Sequence, residues 1–326
     1  MRDDDRQKWR GIGGSKTVAA FLIKPSQVRL TGQWVADTVT CVMLHRDGRN
    51  GERITPSEPR YRLAATGRQK AEERRLSLLE TIFDPLSRQR RAFVQPGWRC
   101  LEVGAGRGSM AVWLAQRVGI NGHVMATDVD ITYLNRLDLP NLEVRRHDIL
   151  SDSLDALDPG SFDLVCSRLM LFWLAGKQEL AIRRMVECLR PGGWLLDEDG
   201  DWGMVAPVDP SHSHYELYHR VWKNGGWWVE RGYDPMFGRK LPMLFERCGL
   251  VNIRHKASAS VVRGGSPWGR WWLQSLEAIR ASEQTDGSLT EERDKEYGVL
   301  TAPLTDPSFW FLNALIHACW GQRGVS

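Results

Sequence analysis

A mostly apolar run, Trp98 to Val103, leads straight into Gly104-Ala105-Gly106-Arg107-Gly108, and a helix-patterned stretch follows at once. Glycines at alternate positions let the backbone turn tightly and approach a ligand with no Cβ in the way. A strand that ends in such a turn and re-enters a helix opens a βαβ unit, which points this part of the chain toward a parallel sheet. Alone, the same turn also serves as a helix-packing device in any α/β protein.

The residues downstream keep the same alternation. Ala111, Leu114, Ala115 and Val118 stand at i, i+3, i+4 and i+7 on one helix face, ending before Gly119, and Ser109 is placed to cap that helix. His123 to Thr127 reads as a strand ending at Asp128, Leu142 to Arg146 as a third, and Phe162 to Cys166 as a fourth. Ile182, Met185, Val186 and Leu189 mark another helix face, stopped by Arg190-Pro191-Gly192-Gly193, and Trp194 to Asp197 reads as a fifth strand. The expected fold class is therefore α/β, a doubly wound, mostly parallel sheet whose ligands sit at the carboxyl ends of the strands.

Upstream, Leu76, Leu79 and Phe83 recur at helix spacing until Asp84-Pro85 interrupts them, and a second short helix is expected over Leu86 to Val94. Residues 1–60, with Gly11-Ile12-Gly13-Gly14 and Asp3-Asp4-Asp5, read as a poorly ordered or appended segment, and Met43 offers an alternative start. The expected organisation is thus 1–60 appended, 61–95 a helical cap, and 96–326 the main domain with insertions at 205–240 and 263–312.

Charge narrows the partners. Residues 1–60 hold 11 Lys+Arg and 7 Asp+Glu, leaving 33 of each sign in 61–326. A balanced body argues against a nucleic-acid groove, which needs a clustered basic face. The six cysteines are widely spaced with no CxxC, so neither a metal knuckle nor a redox pair is expected, and a reducing cytoplasmic setting fits. No run approaches the roughly 18 apolar residues of a membrane span.

Three acids stand at successive expected strand ends. Glu102 lies two residues before Gly104, where a pyrophosphate would be repelled and a cationic ammonium or sulfonium favoured. The third glycine falls at spacing two, with Ser109 where a dinucleotide fingerprint wants glycine, so a nicotinamide dehydrogenase is disfavoured. Asp128, 24 residues after Gly104, is placed to accept both hydroxyls of a ribose. His147-Asp148-Ile149 offers a carboxylate to an adenine amine beside an apolar side chain. Any one of these acids alone is more simply a loop cap or a solvated residue.

Together, Leu101 to Gly108, Ala126-Thr127-Asp128, His147-Asp148, Phe162-Asp163-Leu164-Val165 and Leu189-Arg190-Pro191-Gly192-Gly193 resemble the ordered motif series of class I S-adenosylmethionine-dependent methyltransferases over about 98–200. The flanks, Tyr61 to Phe83 and Gly264 to Gly321, are similar to a bacterial, often actinobacterial, small-molecule group related to ubiquinone and menaquinone methyltransferases. The resemblance implies a seven-stranded Rossmann-like sheet whose last strand is antiparallel, near Leu315 to Gln322, with strand six near Val251 to Lys256. It implies S-adenosyl-L-methionine as cofactor, held by Tyr61, Glu102, Val103, Gly104, Ala105, Gly106, Gly108, Asp128, Val129, His147, Asp148, Ile149 and Ser167. Phe172 and Trp173 stand where relatives commonly carry His after strand four, so a general base borrowed from them is in doubt.

Methyl transfer is an in-line displacement in which alignment supplies much of the rate, so a catalytic acid or base is optional. Substrate contacts are expected from Arg168, Trp173, Asp199, Trp202, Tyr218 and Trp222. His214 and His219, on a helix over Ser211 to His219, are the candidate bases, against the blander reading of ring-bearing residues that cover the core. Asp197, Glu198, Asp199 and Asp201 suggest a magnesium site, but Arg168 stands where such a site wants a carboxylate, and no metal is expected. Trp227-Trp228 and Trp271-Trp272 in the two insertions favour an apolar, aromatic pocket. The expected protein is a cytoplasmic small-molecule methyltransferase, monomer or homodimer, with no nucleic-acid partner. A protein methyltransferase and a cofactor-binding regulator without catalysis are the alternatives.

Overall fold

The computed structural model describes residues 69–223, 229 and 232–325. The expected 1–60 segment, Tyr61 and Trp227-Trp228 lie outside the described residues.

In chain order the elements are α1 (Gln69–Arg90), β1 (Arg99–Val103), α2 (Ser109–Val118), β2 (His123–Asp128), β3 (Leu142–Arg146), β4 (Phe162–Arg168), α3 (Gln178–Cys188) and β5 (Leu189–Asp201). There follow β6 (Ala206–Pro207), α4 (Tyr215–Tyr218), α5 (Leu241–Arg247), β7 (Leu250–Ser258), β8 (Val261–Arg263), α6 (Pro267–Asp286), α7 (Glu291–Thr301), β9 (Trp310–Leu312) and β10 (Leu315–Arg323). Among the described residues seven strands form one sheet in the order β3-β2-β1-β4-β5-β10-β7, parallel except for β10, which is antiparallel to both neighbours. The expected sixth and seventh strands are β7 and β10. Three short strands drawn from distant segments, β6, β9 and β8, make a separate antiparallel sheet.

Alternate residues of each central strand serve opposite faces. Cys100, Val124, Ala126, Leu164, Cys166 and Leu196 meet Ala111, Leu114, Ala115 and Val118 of α2 on one side. Leu101, Val103, Met125, Val165 and Leu195 join Ile182 and Met185 of α3 and Leu244 and Phe245 of α5 on the other. Both faces being covered explains why the strands read as near-continuous apolar runs. Each fully buried Leu or Val contributes about 1.5–3 kcal/mol.

Three local expectations are corrected. Pro85 does not divide the N-terminal helix, because α1 runs through it from Gln69 to Arg90. Tertiary contacts grip the helix on both sides of the proline: Asp84 accepts from Arg168, and Arg90 and Arg91 both pair with Glu198. Ser109 does not cap α2. Gly108 takes the N-cap position with φ 83°, and the Ser109 hydroxyl donates to Asp84 instead at 3.0 Å. The fifth strand is also longer than Trp194 to Asp197. Pro191 sits in an irregular stretch of β5 where pairing with β4 shifts register, and there a missing N–H costs no ladder bond.

Candidate cofactor and acceptor site

The glycine loop spans the gap between β1 and α2. The Gly104 and Ala105 N–H groups donate to the Thr127 carbonyl at 2.9 and 3.0 Å, tying the loop to the end of β2. A Cβ on Gly104 would run into the Met170 side chain, and one on Gly108 would come within 2.8 Å of Leu134. Gly106, at φ 60°, has no atom within 4 Å of where its Cβ would stand. Gly104 and Gly108 thus stand close against side chains, the middle glycine faces open space, and all three take positive φ.

Asp128 borders that space. Its Oδ2 accepts from the Gly106 N–H at 2.9 Å and its Oδ1 from the Asp130 N–H at 3.1 Å, which fixes the carboxylate against the loop. Burial raises its proton affinity, and these two bonds work against that. Val129 beside it is half-buried.

Glu102 faces the α2 side of β1 beside buried Arg91 and Arg168. Burial pushes its carboxyl up to about 7, with Arg91 and then Arg168 opposing. Its Oε2 is buried and has no hydrogen-bond partner among the described residues. An acceptor that no protein donor uses, next to an open glycine loop, is suited to an ammonium group.

At the end of β3, Asp148 uses both oxygens locally, Oδ1 accepting from the Leu150 N–H at 2.8 Å and Oδ2 from the Ser151 hydroxyl at 2.9 Å. Ile149 is buried beside it. The His147 Nε2 lies 3.2 Å from the Ser153 carbonyl, while its Nδ1 is buried without a partner among the described residues.

The ends of β4 and β5 are more closed. Ser167 hydrogen-bonds to Asp197, and Asp199 accepts from the Phe172 N–H at 2.9 Å. Asp199 therefore anchors the turn after β4 from inside the protein, rather than facing open space. That turn contains Leu169 at φ 53°, a left-handed conformation unusual for a bulky side chain, and Met170 follows directly against Gly104. Arg168, expected at the acceptor, is engaged instead by α1. Its Nη1 reaches Asp84 at 2.8 Å and Ser87 at 3.3 Å, and its Nη2 lies 3.4 Å from the Ser109 hydroxyl.

Beyond these strands lies an aromatic wall. Phe172 stacks on Tyr233 at 5.4 Å and meets Trp202 edge-on at 6.0 Å; Trp202 stacks on Trp271 at 6.2 Å. Phe83 and Trp268 lie 4.9 Å apart, Trp222 and Trp272 4.7 Å, and Trp173 and Tyr233 5.4 Å. The Nε1 atoms of Trp202 and Trp271 are buried with no acceptor among the described residues. Trp173, Trp202 and Trp222 are thus brought into one cluster. Phe83, Trp268 and Tyr233 join them without having been singled out by sequence; Phe83 carried only a helix-spacing signal.

Tyr218 is buried and donates to the Leu300 carbonyl at 3.1 Å. The His219 ring packs on Tyr215 at 4.6 Å and the His214 ring lies 5.5 Å from His212. The hydrogen bonds and ring contacts described for these two histidines do not reach the glycine loop. Helix α4 itself is shorter than Ser211 to His219 and passes at His219 into a π-helical turn. Among the described residues no group of His, Cys, Asp and Glu could hold a metal ion, and no helix is long and apolar enough to cross a membrane.

Residues 100–193 match the family model described as a methyltransferase domain. The methyltransferase str2 of Strobilurus tenacellus is 31% identical over 104 residues, covering 32% of this chain and 36% of that protein. The chain thus spans about a third of the length of the curated relative it matches. Among solved structures, phosphoethanolamine N-methyltransferase 2 of Haemonchus contortus shares 16% identity at a TM-score of 0.44, over 77% of this chain and 52% of that one. A SAM-dependent methyltransferase of Aquifex aeolicus shares 15% identity at a TM-score of 0.40, over 77% and 99%.

Proposed function

Because residues 100–193 match a methyltransferase-domain model, we propose that the chain is a class I S-adenosylmethionine-dependent methyltransferase that transfers a methyl group to a small, apolar or aromatic metabolite. The observation that carries this is the pairing of an open Gly106 with two carboxylates, Asp128 fixed beside it and Glu102 holding an unused buried acceptor. These residues fit the cofactor. Asp128 binds the ribose hydroxyls with the lone pairs that Gly106 and Asp130 leave free. Glu102 holds the ammonium of the methionine portion, Ile149 packs on the adenine, and Asp148 accepts from its amine.

When bound, S-adenosylmethionine supplies a methyl group activated by a sulfonium. The chain's own contribution is alignment and exclusion of water. Asp199 fixes the turn after β4, so that Met170 is held against Gly104 and Phe172 and Trp173 stand at the edge of the aromatic wall. Trp202 and Trp271, stacked on each other, supply two buried N–H donors for an oxygen on the acceptor. Arg168 acts as a positioning residue that joins α1, β4 and α2. His214 and His219 are outside this proposal, since alignment alone accounts for the step and both make their contacts in the insertion. Residues 96–326 act as one domain, with the described residues of the segments at 205–240 and 263–312 covering the acceptor side.

Calorimetric titration with S-adenosylhomocysteine, with NADH as control, tests the reading. Binding of the first and not the second is expected. Asp128→Ala should lose about 1.5–3 kcal/mol of that binding, the scale of hydrogen bonds to a charged group. Unchanged affinity in the folded variant overturns the ribose assignment. Transfer of label from isotopically marked cofactor to an aromatic acceptor library, and not to peptides, then separates small-molecule from protein substrates.

A further inference from the structure

A cavity of about 610 Å³ lies on the α2 side of the sheet, between the C-terminal end of α1 and the strands β5, β10 and β7. It is not the cofactor site. Trp98 stands just before β1, and Trp194 pairs with Leu164 near the start of β4, so the cavity lies toward the amino ends of these strands, opposite the glycine loop. Its volume falls in the range of roughly 300–1,000 Å³ that small-molecule sites occupy.

The lining has two characters. One is aromatic: Phe93 meets Trp98 at 5.9 Å and Trp194 at 5.8 Å, both edge-on, and Trp320 closes the wall with its indole N–H donating to the Arg90 carbonyl at 3.3 Å. The other is cationic. Arg254, Lys256 and Ser258 alternate along β7 and are exposed on one face, opposite Trp320, Ala318 and Ile316 of β10. The Arg254 guanidinium lies 5.8 Å from the centre of the Trp194 ring.

No Asp or Glu lines the cavity, and neither Arg254 nor Lys256 has an ion pair among the described residues. Arg90 is different, because its charge is answered by Glu198. Residues 61–326 carry equal numbers of basic and acidic side chains, so an acid-free cationic rim is a local arrangement and not a reflection of composition.

We propose that this cavity is a second binding site, for a small flat anion: an aromatic ring bearing a carboxylate, sulfonate or phosphate group. The ring lies against Trp98, Trp194 and Trp320. The anionic group meets Arg254 and Lys256. A cation already stacked on Trp194 is held in place for a charge-assisted bond, so little side-chain freedom is lost on binding. The proposal does not depend on methyl transfer, since none of its residues belongs to the glycine loop or to the acids around it.

The test uses the full chain saturated with S-adenosylhomocysteine and two probes of equal shape, 2-naphthoate and the neutral 2-naphthalenemethanol, titrated by calorimetry. Naphthoate should bind at least about tenfold more tightly than the alcohol, a difference of about 1.4 kcal/mol. The double variant Arg254→Glu/Lys256→Glu should lose at least that factor for naphthoate while its affinity for S-adenosylhomocysteine stays the same. Both residues are exposed, so the variant is expected to fold, and the comparison of the two probes needs no variant at all. Equal affinity for the two probes overturns the proposal, as does equal naphthoate binding by the variant or no binding up to about 1 mM. A wild-type dimer that dissociates in the double variant, seen by sedimentation, also overturns it, because a second copy would then cover the cavity through β7.

Discussion

Asp197, Glu198 and Asp199 are consecutive on β5 and are all at most 1% exposed, yet they hold their protons in opposite ways. Glu198 points to the α1 side, where Arg90 at 2.7 Å and the wholly buried Arg91 both pair with it and pull its carboxyl down to about 2 against the penalty of burial. Asp197 and Asp199 point to the α3 and α5 side, where they meet a hydroxyl and backbone N–H groups, and among the described residues no guanidinium pairs with them. Burial pushes Asp199 up to about 7, and burial together with its neighbour Asp199 pushes Asp197 well above the usual carboxylate range. Depth is the same for all three. Among these three the alternation of the strand separates the acid that meets guanidinium groups from the two that do not, while farther along the same face Asp201 is reached by Arg239 at 2.6 Å.

The contrast is most easily broken at Glu198. Glu198→Ala leaves two arginines at the sheet without their counter-ion and should cost about 3–5 kcal/mol in urea unfolding, the scale for removing one partner of a buried pair. A loss below about 1 kcal/mol would mean that water or movement of α1 compensates the arginines. The pH dependence has a fixed sign. A carboxyl held at about 2 contributes fully above its ordinary value near 4.5, and that contribution disappears as pH falls from 4.5 toward 2.

Glu102 sharpens the comparison, because it shares the α1 side with Glu198 but has no direct arginine partner and rises to about 7. The folded chain keeps a proton that the unfolded chain loses above pH 4.5, so this group takes stability away as pH rises from 4.5 to 7. An ammonium bound there favours the ionised form. Affinity for S-adenosylhomocysteine should therefore rise about tenfold from pH 6 to 8 and then level off, and Glu102→Gln should flatten the curve. A flat wild-type curve would place the ammonium elsewhere.

On the other face a smaller effect than at Glu198 is expected. Asp199→Asn exchanges a carboxyl held up to about 7 for a neutral amide, but the amide nitrogen cannot accept one of the two backbone N–H bonds that Oδ1 and Oδ2 now take, so a cost of about 1–3 kcal/mol is expected at pH 6. For Asp199 the amide should also remove the decline in stability that the wild-type chain shows as pH rises toward 7. A cost above about 3 kcal/mol at pH 6 would mean that Asp199 is ionised in the fold, as Glu198 is.

The parts of the molecule that the sequence made legible are those with local causes. Gly104, Gly106 and Gly108 are required by a backbone that turns through positive φ, and the strand ends at Glu102, Asp128 and Asp148 follow from the alternation of apolar runs. Asp84 with Arg168, and Arg91 with Glu198, are partners 84 and 107 residues apart, and nothing near either residue announces the other. The same holds for Pro85, whose neighbours argue for a break until the contacts that hold α1 are known. Met170 reads as one apolar residue among several; what distinguishes it is that Gly104 has room for its side chain and for nothing more. Arg168 shows the reverse error. Its position after β4 pointed to the acceptor, but a long side chain can reach backward, and this one does.

The place of β10 in the sheet has a consequence for synthesis. Among the described residues β10 is the sole sheet neighbour of β7, yet it is made more than fifty residues later. At about 5–20 residues per second, β7 waits roughly 3 to 10 s on the ribosome with its backbone unpaired. A bare strand of that kind invites pairing with another nascent chain. Arg254 and Lys256 place charge along it throughout that interval, so the same cations that rim the cavity in the finished protein also guard the strand before its partner exists.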